Sequence, residues 1–292
     1  MKLPSFFLCL FFAFTAYAQN EVHSFPALSA FGKLSQQVGN TQIEIEYERP
    51  SARGRVIYGG LVPWGEVWRT GASYCTKISF SRPVTIGGQD VPAGKYSLFT
   101  IPSPKDCILI LNTDTTLYGS YDYDANLDVA RFSVKRHKPD RFYESLTIDL
   151  DVIPNNAKMY ISWTDYQIHF PIETSTDPET MAFIKTQLLS GKSADSDLYA
   201  NASDYFLFHN KNLYQGVELA QKAIELNSEN GFARRVKVEL YEKLLRFDLA
   251  LLEAQKAYEA CKIRNFESEE VRVIELKNWQ NIQKRIEASL KK

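Results

Sequence analysis

Cysteine, surplus charge and late proline are all scarce in this chain, and each shortage excludes something. Four cysteines stand among 292 residues, and no pair is spaced Cys-x-x-Cys, so neither a redox dithiol nor a zinc ribbon is supported. Cys9 falls in an N-terminal apolar run, leaving Cys75, Cys107 and Cys261, which cannot all pair within one chain. Cys75 and Cys107 lie in strand-like runs where pairing is open to them; buried free thiols are the expectation. Basic residues number 34 and acidic residues 35. Such a balance leaves nothing over for neutralising phosphates and argues against a nucleic-acid partner. Also missing are the Gly-x-Ser-x-Gly elbow, His-Glu-x-x-His, a phosphate-binding Gly-Lys-Thr loop and Gly-x-Gly-x-x-Gly. His23, His137, His169 and His209 are scattered without metal-ligand spacing, so no metal or cofactor is expected.

Long apolar runs are confined to the N-terminus. Lys2 precedes the run Phe6 to Phe14, and Ala16-Tyr17-Ala18 gives a small-x-small pattern before Gln19. This reads as a signal peptide over residues 1–18, cleaved after Ala18. About fourteen apolar residues fall short of the roughly twenty that span a bilayer. Cys9 follows Phe-Phe-Leu and not a small-residue box, which argues against lipid attachment. The expected product is exported, periplasmic or secreted, and not membrane-spanning.

Ten of the twelve prolines and eleven of the fourteen glycines lie between Gln19 and Ser175. Past Pro178 there is no proline, and only Gly191, Gly216 and Gly231 remain. Pro and Gly punctuate turns and break helices, so residues 19–175 read as turn-rich β and residues 176–292 as α-helical. At the seam, Asp177 followed by Pro178 and Glu179 reads as an N-cap with Pro in the first helical position.

In the first part, Ile43, Ile45 and Tyr47 alternate with Glu44, Glu46 and Glu48, the signature of a half-buried strand. Further strand-like runs cover 76–80, 83–86, 95–101, 107–111, 129–136, 143–150, 159–163 and 166–171. Gly87-Gly88 and Thr164-Asp165 carry hairpin chemistry. Short strands without intervening helical patterns predict an antiparallel β-sandwich or barrel-like domain. In the second part, Ala220-Gln221-Lys222-Ala223 recurs 34 residues later as Ala254-Gln255-Lys256-Ala257. That is the tetratricopeptide period, in which small residues let paired helices approach. Helices are predicted over 198–209, 213–227, 232–245, 248–262 and 267–290.

One segment concentrates binding chemistry. Arg53, Arg55 and Arg69 lie close in sequence to Tyr58, Trp64 and Trp68. Guanidinium forks suit anions, and flat aromatic faces suit sugar rings. The same residues can instead satisfy loop carbonyls and plug the end of the β domain. Asp122, Asp124, Asn126 and Asp128 alternate like a calcium loop, but an EF-hand needs Gly and Glu where Leu127 and Ser133 stand. A solvated loop leading into a strand is the expectation there.

The run from Arg49 to Ala72, through Pro63-Trp64 and Trp68-Arg69-Thr70-Gly71, resembles the exported bacterial DUF2911 family. The run Ile86-Gly87-Gly88 to Pro102, with Asp128 and Arg131, is similar to the same family's later signature, and the resemblance covers about residues 29–172. The resemblance implies an exported β domain of unknown chemistry, often followed by helical repeats. After Thr-Gly-Ala the family commonly continues Asn-Glu-Ala-Thr, whereas this chain has Ser73-Tyr74-Cys75-Thr76 and lacks that acid. The expected function is an exported binding protein. Its β domain would take an anionic or glycan ligand at Arg53, Arg55, Tyr58, Trp64, Trp68 and Arg69, and its helical repeat a protein partner. An envelope structural or assembly protein and a hydrolase of unknown specificity stand as alternatives.

Overall fold

The computed structural model describes residues 25–291. The signal peptide read over 1–18 lies outside the described residues.

Alternation builds the first domain. In β2 (Thr41–Arg49) every second residue from Thr41 to Tyr47 is buried, and Glu44 and Glu46 are half-buried between them. The other strands are β1 (Ala30–Val38), β3 (Thr76–Phe80), β4 (Val84–Ile86), β5 (Gln89–Val91), β6 (Gly94–Pro102) and β7 (Asp106–Asn112). They continue with β8 (Asp128–His137), β9 (Tyr143–Ile153), β10 (Asn156–Thr164) and β11 (Tyr166–Thr174). Among the described residues these eleven strands form one sheet in the order β1-β2-β3-β6-β7-β8-β11-β10-β9, with the β4–β5 hairpin beside β11. Both turns read from sequence are present. Gly87 and Gly88 connect β4 to β5 at positive φ, and a Cβ on Gly87 would collide with the Phe132 ring. Thr164, also at positive φ, turns β10 into β11.

The sheet curls into a barrel-like shape around Trp163, Ile43, Ile45, Leu98, Leu109 and Ile161, all buried. Each such side chain contributes about 1.5–3 kcal/mol by leaving water. A seam joins β2 to β9. It starts as a backbone bridge, in which Leu146 N–H donates to the Pro50 carbonyl at 3.0 Å and Ala52 N–H to the Glu144 carbonyl at 2.7 Å. Side chains then take over. Arg49 Nε donates to the Leu146 carbonyl at 3.0 Å, and the Tyr47 hydroxyl accepts from Ile148 N–H at 3.0 Å.

Past Thr174 the chain is helical: α1 (Thr176–Phe183), running into a wider turn over Ile184–Leu188, then α2 (Ser196–Phe208), α3 (Leu213–Leu226), α4 (Gly231–Lys243), α5 (Phe247–Ile263) and α6 (Glu269–Leu290). Buried Ala200, Ala220, Ala223, Ala233, Ala250, Ala254 and Ala257 let the helices approach closely. Asp195, Asn230 and Ser268 cap α2, α4 and α6 by accepting from first-turn N–H groups. The first helix starts differently from the sequence expectation. It is preceded by Ser175, whose Oγ reaches Glu179, and Asp177 does not cap it. The Asp177 carboxylate is drawn to Asn155 in the β9–β10 turn and to the Tyr205 hydroxyl on α2. Burial by itself raises the Asp177 pKa, but those hydrogen bonds, with the charges of His209 and Lys211, hold it below the ordinary value. The contact ties barrel to helices. Cys75, Cys107 and Cys261 are free and buried. No helix among the described residues is long and apolar enough to cross a membrane.

Candidate functional site

The loop from Ala52 to Glu66 folds over one end of the barrel. Arg53 and Gly54, both at positive φ, reverse the chain so that Arg55 N–H donates to the Ala52 carbonyl at 3.0 Å. A second reversal, in which Val62 N–H donates to Ile57 and Gly59 N–H to Val62, both at 2.8 Å, swings Trp64 back over Gly59. Only glycine fits under that ring, since a Cβ there would stand 2.3 Å from Trp64 Nε1 and φ is +79°.

These turns assemble an aromatic cleft of about 460 Å³. Tyr58 stacks on Tyr166 with centroids 4.1 Å apart and planes at 24°. Trp64, 37% exposed, lies 5.9 Å from Tyr58 on the solvent side at 19°. Buried Trp163 meets Tyr58 edge-on from beneath at 6.3 Å. The Arg136 guanidinium sits 5.0 Å over Tyr166, with Nη2 3.2 Å from Asp165 Oδ2. Val56 and Phe142 add exposed apolar surface at the rim.

The six residues expected to form one site divide. Tyr58, Trp64 and Arg55 line the cleft. Arg55 is already engaged, with Nε on the Ala52 carbonyl at 3.0 Å and Nη2 on Ser51 at 2.7 Å. Arg53 points away, to the Leu28 carbonyl at 2.7 Å. Trp68 stacks on Trp163 behind the cleft at 5.7 Å, its indole N–H on the Gly71 carbonyl. Arg69 follows Trp68 in extended backbone, so its side chain takes the opposite face. There the guanidinium lies beside Gly119, and Nε is buried with no hydrogen-bond partner among the described residues. Arg136, Phe142, Asp165 and Tyr166 complete the cleft from strands and turns far along the chain. From sequence, Arg136 and Tyr166 stand only at the ends of strand-like runs and Asp165 in a tight turn, with nothing to bring them together.

The cleft holds its protons. Burial, with the nearby Cys107 and Tyr166, pushes the Tyr58 hydroxyl well above its ordinary value, and burial likewise raises Tyr166. Burial pushes the Cys107 thiol up to about 12. All three stay protonated at neutral pH; the Tyr166 hydroxyl is committed to the Asp106 carbonyl at 2.9 Å and Cys107 lies outside the lining, so the cleft presents chiefly aromatic faces. Asp149 and Asp151 line a separate groove on the outer sheet face, with Tyr160 and Gln167, and Glu66 lines neither cavity. Arg69 lines neither of these two cavities.

The alternating acids at 122–128 do structural work. Asp124 accepts from Asn126 N–H at 2.9 Å, and Asp128 accepts from the Tyr123 hydroxyl at 2.6 Å and pairs with Arg131 at 3.2 Å. No group of three or more His, Cys, Asp or Glu among the described residues is placed to hold a metal ion.

Fold and site together define a class: an antiparallel barrel-like β domain with an aromatic cleft at one end, continued by six helices. Residues 29–172, nearly the whole barrel, match the family model described as "Protein of unknown function (DUF2911)". No curated protein and no solved structure matches the chain.

Proposed function

We propose that this is an exported, non-catalytic binding protein whose β domain takes a glycan in the Tyr58–Trp64–Tyr166 cleft. Export rests on the signal-peptide pattern over 1–18. The observation that carries the ligand class is the way both cleft arginines are engaged. Arg55 is spent on two backbone carbonyls and Arg136 is neutralised by Asp165. Neither presents an open two-nitrogen fork to an anion, although Arg55 keeps its charge, and this favours the glycan over the anionic ligand. A sugar ring needs what remains: flat faces against its C–H groups, and a donor–acceptor pair in Arg136–Asp165 for adjacent hydroxyls.

The helical domain reads as a divergent helical repeat that docks a protein partner. Supporting this, Ala220 and Ala223 on α3 and Ala254 and Ala257 on α5 are buried at equivalent places in the 34-residue echo, and α2–α3 and α4–α5 pack as consecutive pairs. Calorimetry of the mature chain against neutral and acidic oligosaccharides tests the glycan reading. A neutral oligosaccharide should bind. Trp64→Ala should weaken it at least tenfold, about 1.4 kcal/mol, while leaving the melting temperature nearly unchanged. Binding indifferent to both Trp64→Ala and Asp165→Ala, or confined to acidic sugars, would overturn it.

A further inference from the structure

The helical domain holds an unbalanced interior charge next to a cavity of mixed apolar and charged lining. Arg234 Nη1 lies 3.3 Å from one oxygen of Glu253, and Lys237 Nζ lies 2.9 Å from the other. The three side chains are 14%, 8% and 6% exposed. Two cations thus share one carboxylate. Their remaining partners are neutral: Lys237 also reaches Gln221 Oε1 at 2.7 Å, and Arg234 Nη2 the Ser228 carbonyl at 3.1 Å. Arg234 Nε is buried with no partner at all among the described residues. Burying a charge without its counter-charge is costly unless something completes the set.

Arg234 lines a cavity of about 290 Å³ between α4, α5 and α6. Ala257, Ala260 and Cys261 form its floor, Phe266 and Trp279 its aromatic sides. Arg264 stands at the mouth, 5.1 Å over the Phe266 ring, and forms no ion pair among the described residues. Two carboxylates also border the cavity. Glu275 is held by Arg235 at 3.7 Å, and Glu229 is exposed to solvent. With Glu275 committed to Arg235 and Glu229 in solvent, Arg234 and Arg264 are the cations left facing the apolar and aromatic part of the lining. Its volume is at the small end of ligand pockets, which run from about 300 Å³.

We infer that this cavity is a binding site for a small apolar monocarboxylic acid. The acid's hydrocarbon part lies on Ala257 and Ala260 between Phe266 and Trp279, and its carboxylate faces Arg234 and Arg264. One negative charge balances the Arg234–Lys237–Glu253 set, and guanidinium forks match carboxylate geometry. The site is independent of the barrel cleft and of the glycan reading.

The test uses the full mature chain and a panel of aliphatic and aromatic monocarboxylates of six to ten carbons, each beside its primary amide. Thermal shift and calorimetry are the readouts. At least one acid should raise the melting temperature and bind tenfold or more tightly than its amide, which has the same shape without the charge. Ala260→Phe, which fills the floor, should abolish that binding, and Arg264→Gln should weaken it at least tenfold. Arg264→Gln is the variant at the exposed mouth, so it keeps the test open if Ala260→Phe disturbs folding. Equal affinity for acid and amide, no stabilisation by any acid at 10 mM, or binding lost in Trp64→Ala but kept in Ala260→Phe would overturn the assignment.

Discussion

Arginine is satisfied in opposite ways in the two halves of the molecule. Around the barrel cleft the backbone is irregular and leaves carbonyls over, and arginines take them up: Arg55 on Ser51 and Ala52, Arg53 on Leu28, Arg136 on Pro104. Inside the helices each carbonyl already accepts from four residues on. Arg234 finds only Ser228, past the end of α3, and must otherwise share Glu253 with Lys237. A cluster of arginines in a loop-rich stretch is thus mainly cement for backbone. A buried arginine on a helix creates a demand for negative charge that the chain here only half meets.

The sharpest break of this contrast is Glu253→Gln. It leaves two buried cations without any carboxylate, and removing one partner of a buried ion pair costs about 3–5 kcal/mol. Urea melts followed by helical circular dichroism should show a large drop in midpoint, largely restored when Lys237→Met is added. Arg55→Met probes the loop side. Two hydrogen bonds to carbonyls are lost, but Arg55 is exposed and water replaces its fork, so the cost should be about 1 kcal/mol. A loss as large as that of Glu253→Gln would erase the difference between the halves. The smallest effect is expected at Arg69, whose guanidinium makes no hydrogen bond among the described residues. Because no hydrogen bond is lost, Arg69→Lys should shift stability by less than the roughly 1 kcal/mol of a typical one, and a clear fall in the urea midpoint would show that it belongs with the cementing arginines.

Much of the architecture was legible because its periods are strong. The five helices from α2 to α6 fall within two residues of the ranges expected from sequence, since no proline breaks the 3.6-residue repeat there. β1 was not legible. It is an edge strand with one face in water, where Lys33, Ser35 and Gln37 are exposed, and on the other face the apolar signal reduces to Leu34 and Val38. The cleft was half legible. Tyr58 and Trp64 stand out in one segment, but neighbours such as Trp68 and Arg69 point to opposite faces, and linear density cannot show this. Arg136, Asp165 and Tyr166 arrive through the β8–β11 pairing, which joins Arg136 to Ile168 and so places residues about thirty positions apart side by side. No local motif encodes that adjacency.

The seam between β2 and β9 resembles a zip fastened at one end. Its backbone bridge, Pro50 to Ala52 against Glu144 to Leu146, adjoins the cleft, where the Trp163 indole also donates to the Glu144 carbonyl. Farther along, the Tyr47 hydroxyl stands in for a peptide group, accepting from Ile148 N–H and facing its carbonyl at 3.4 Å. Amide exchange should therefore begin at the Ile148 end and reach Ala52 and Leu146 last. On that order the barrel should open first on the side away from the aromatic cleft, whose walls keep their spacing while the far side parts.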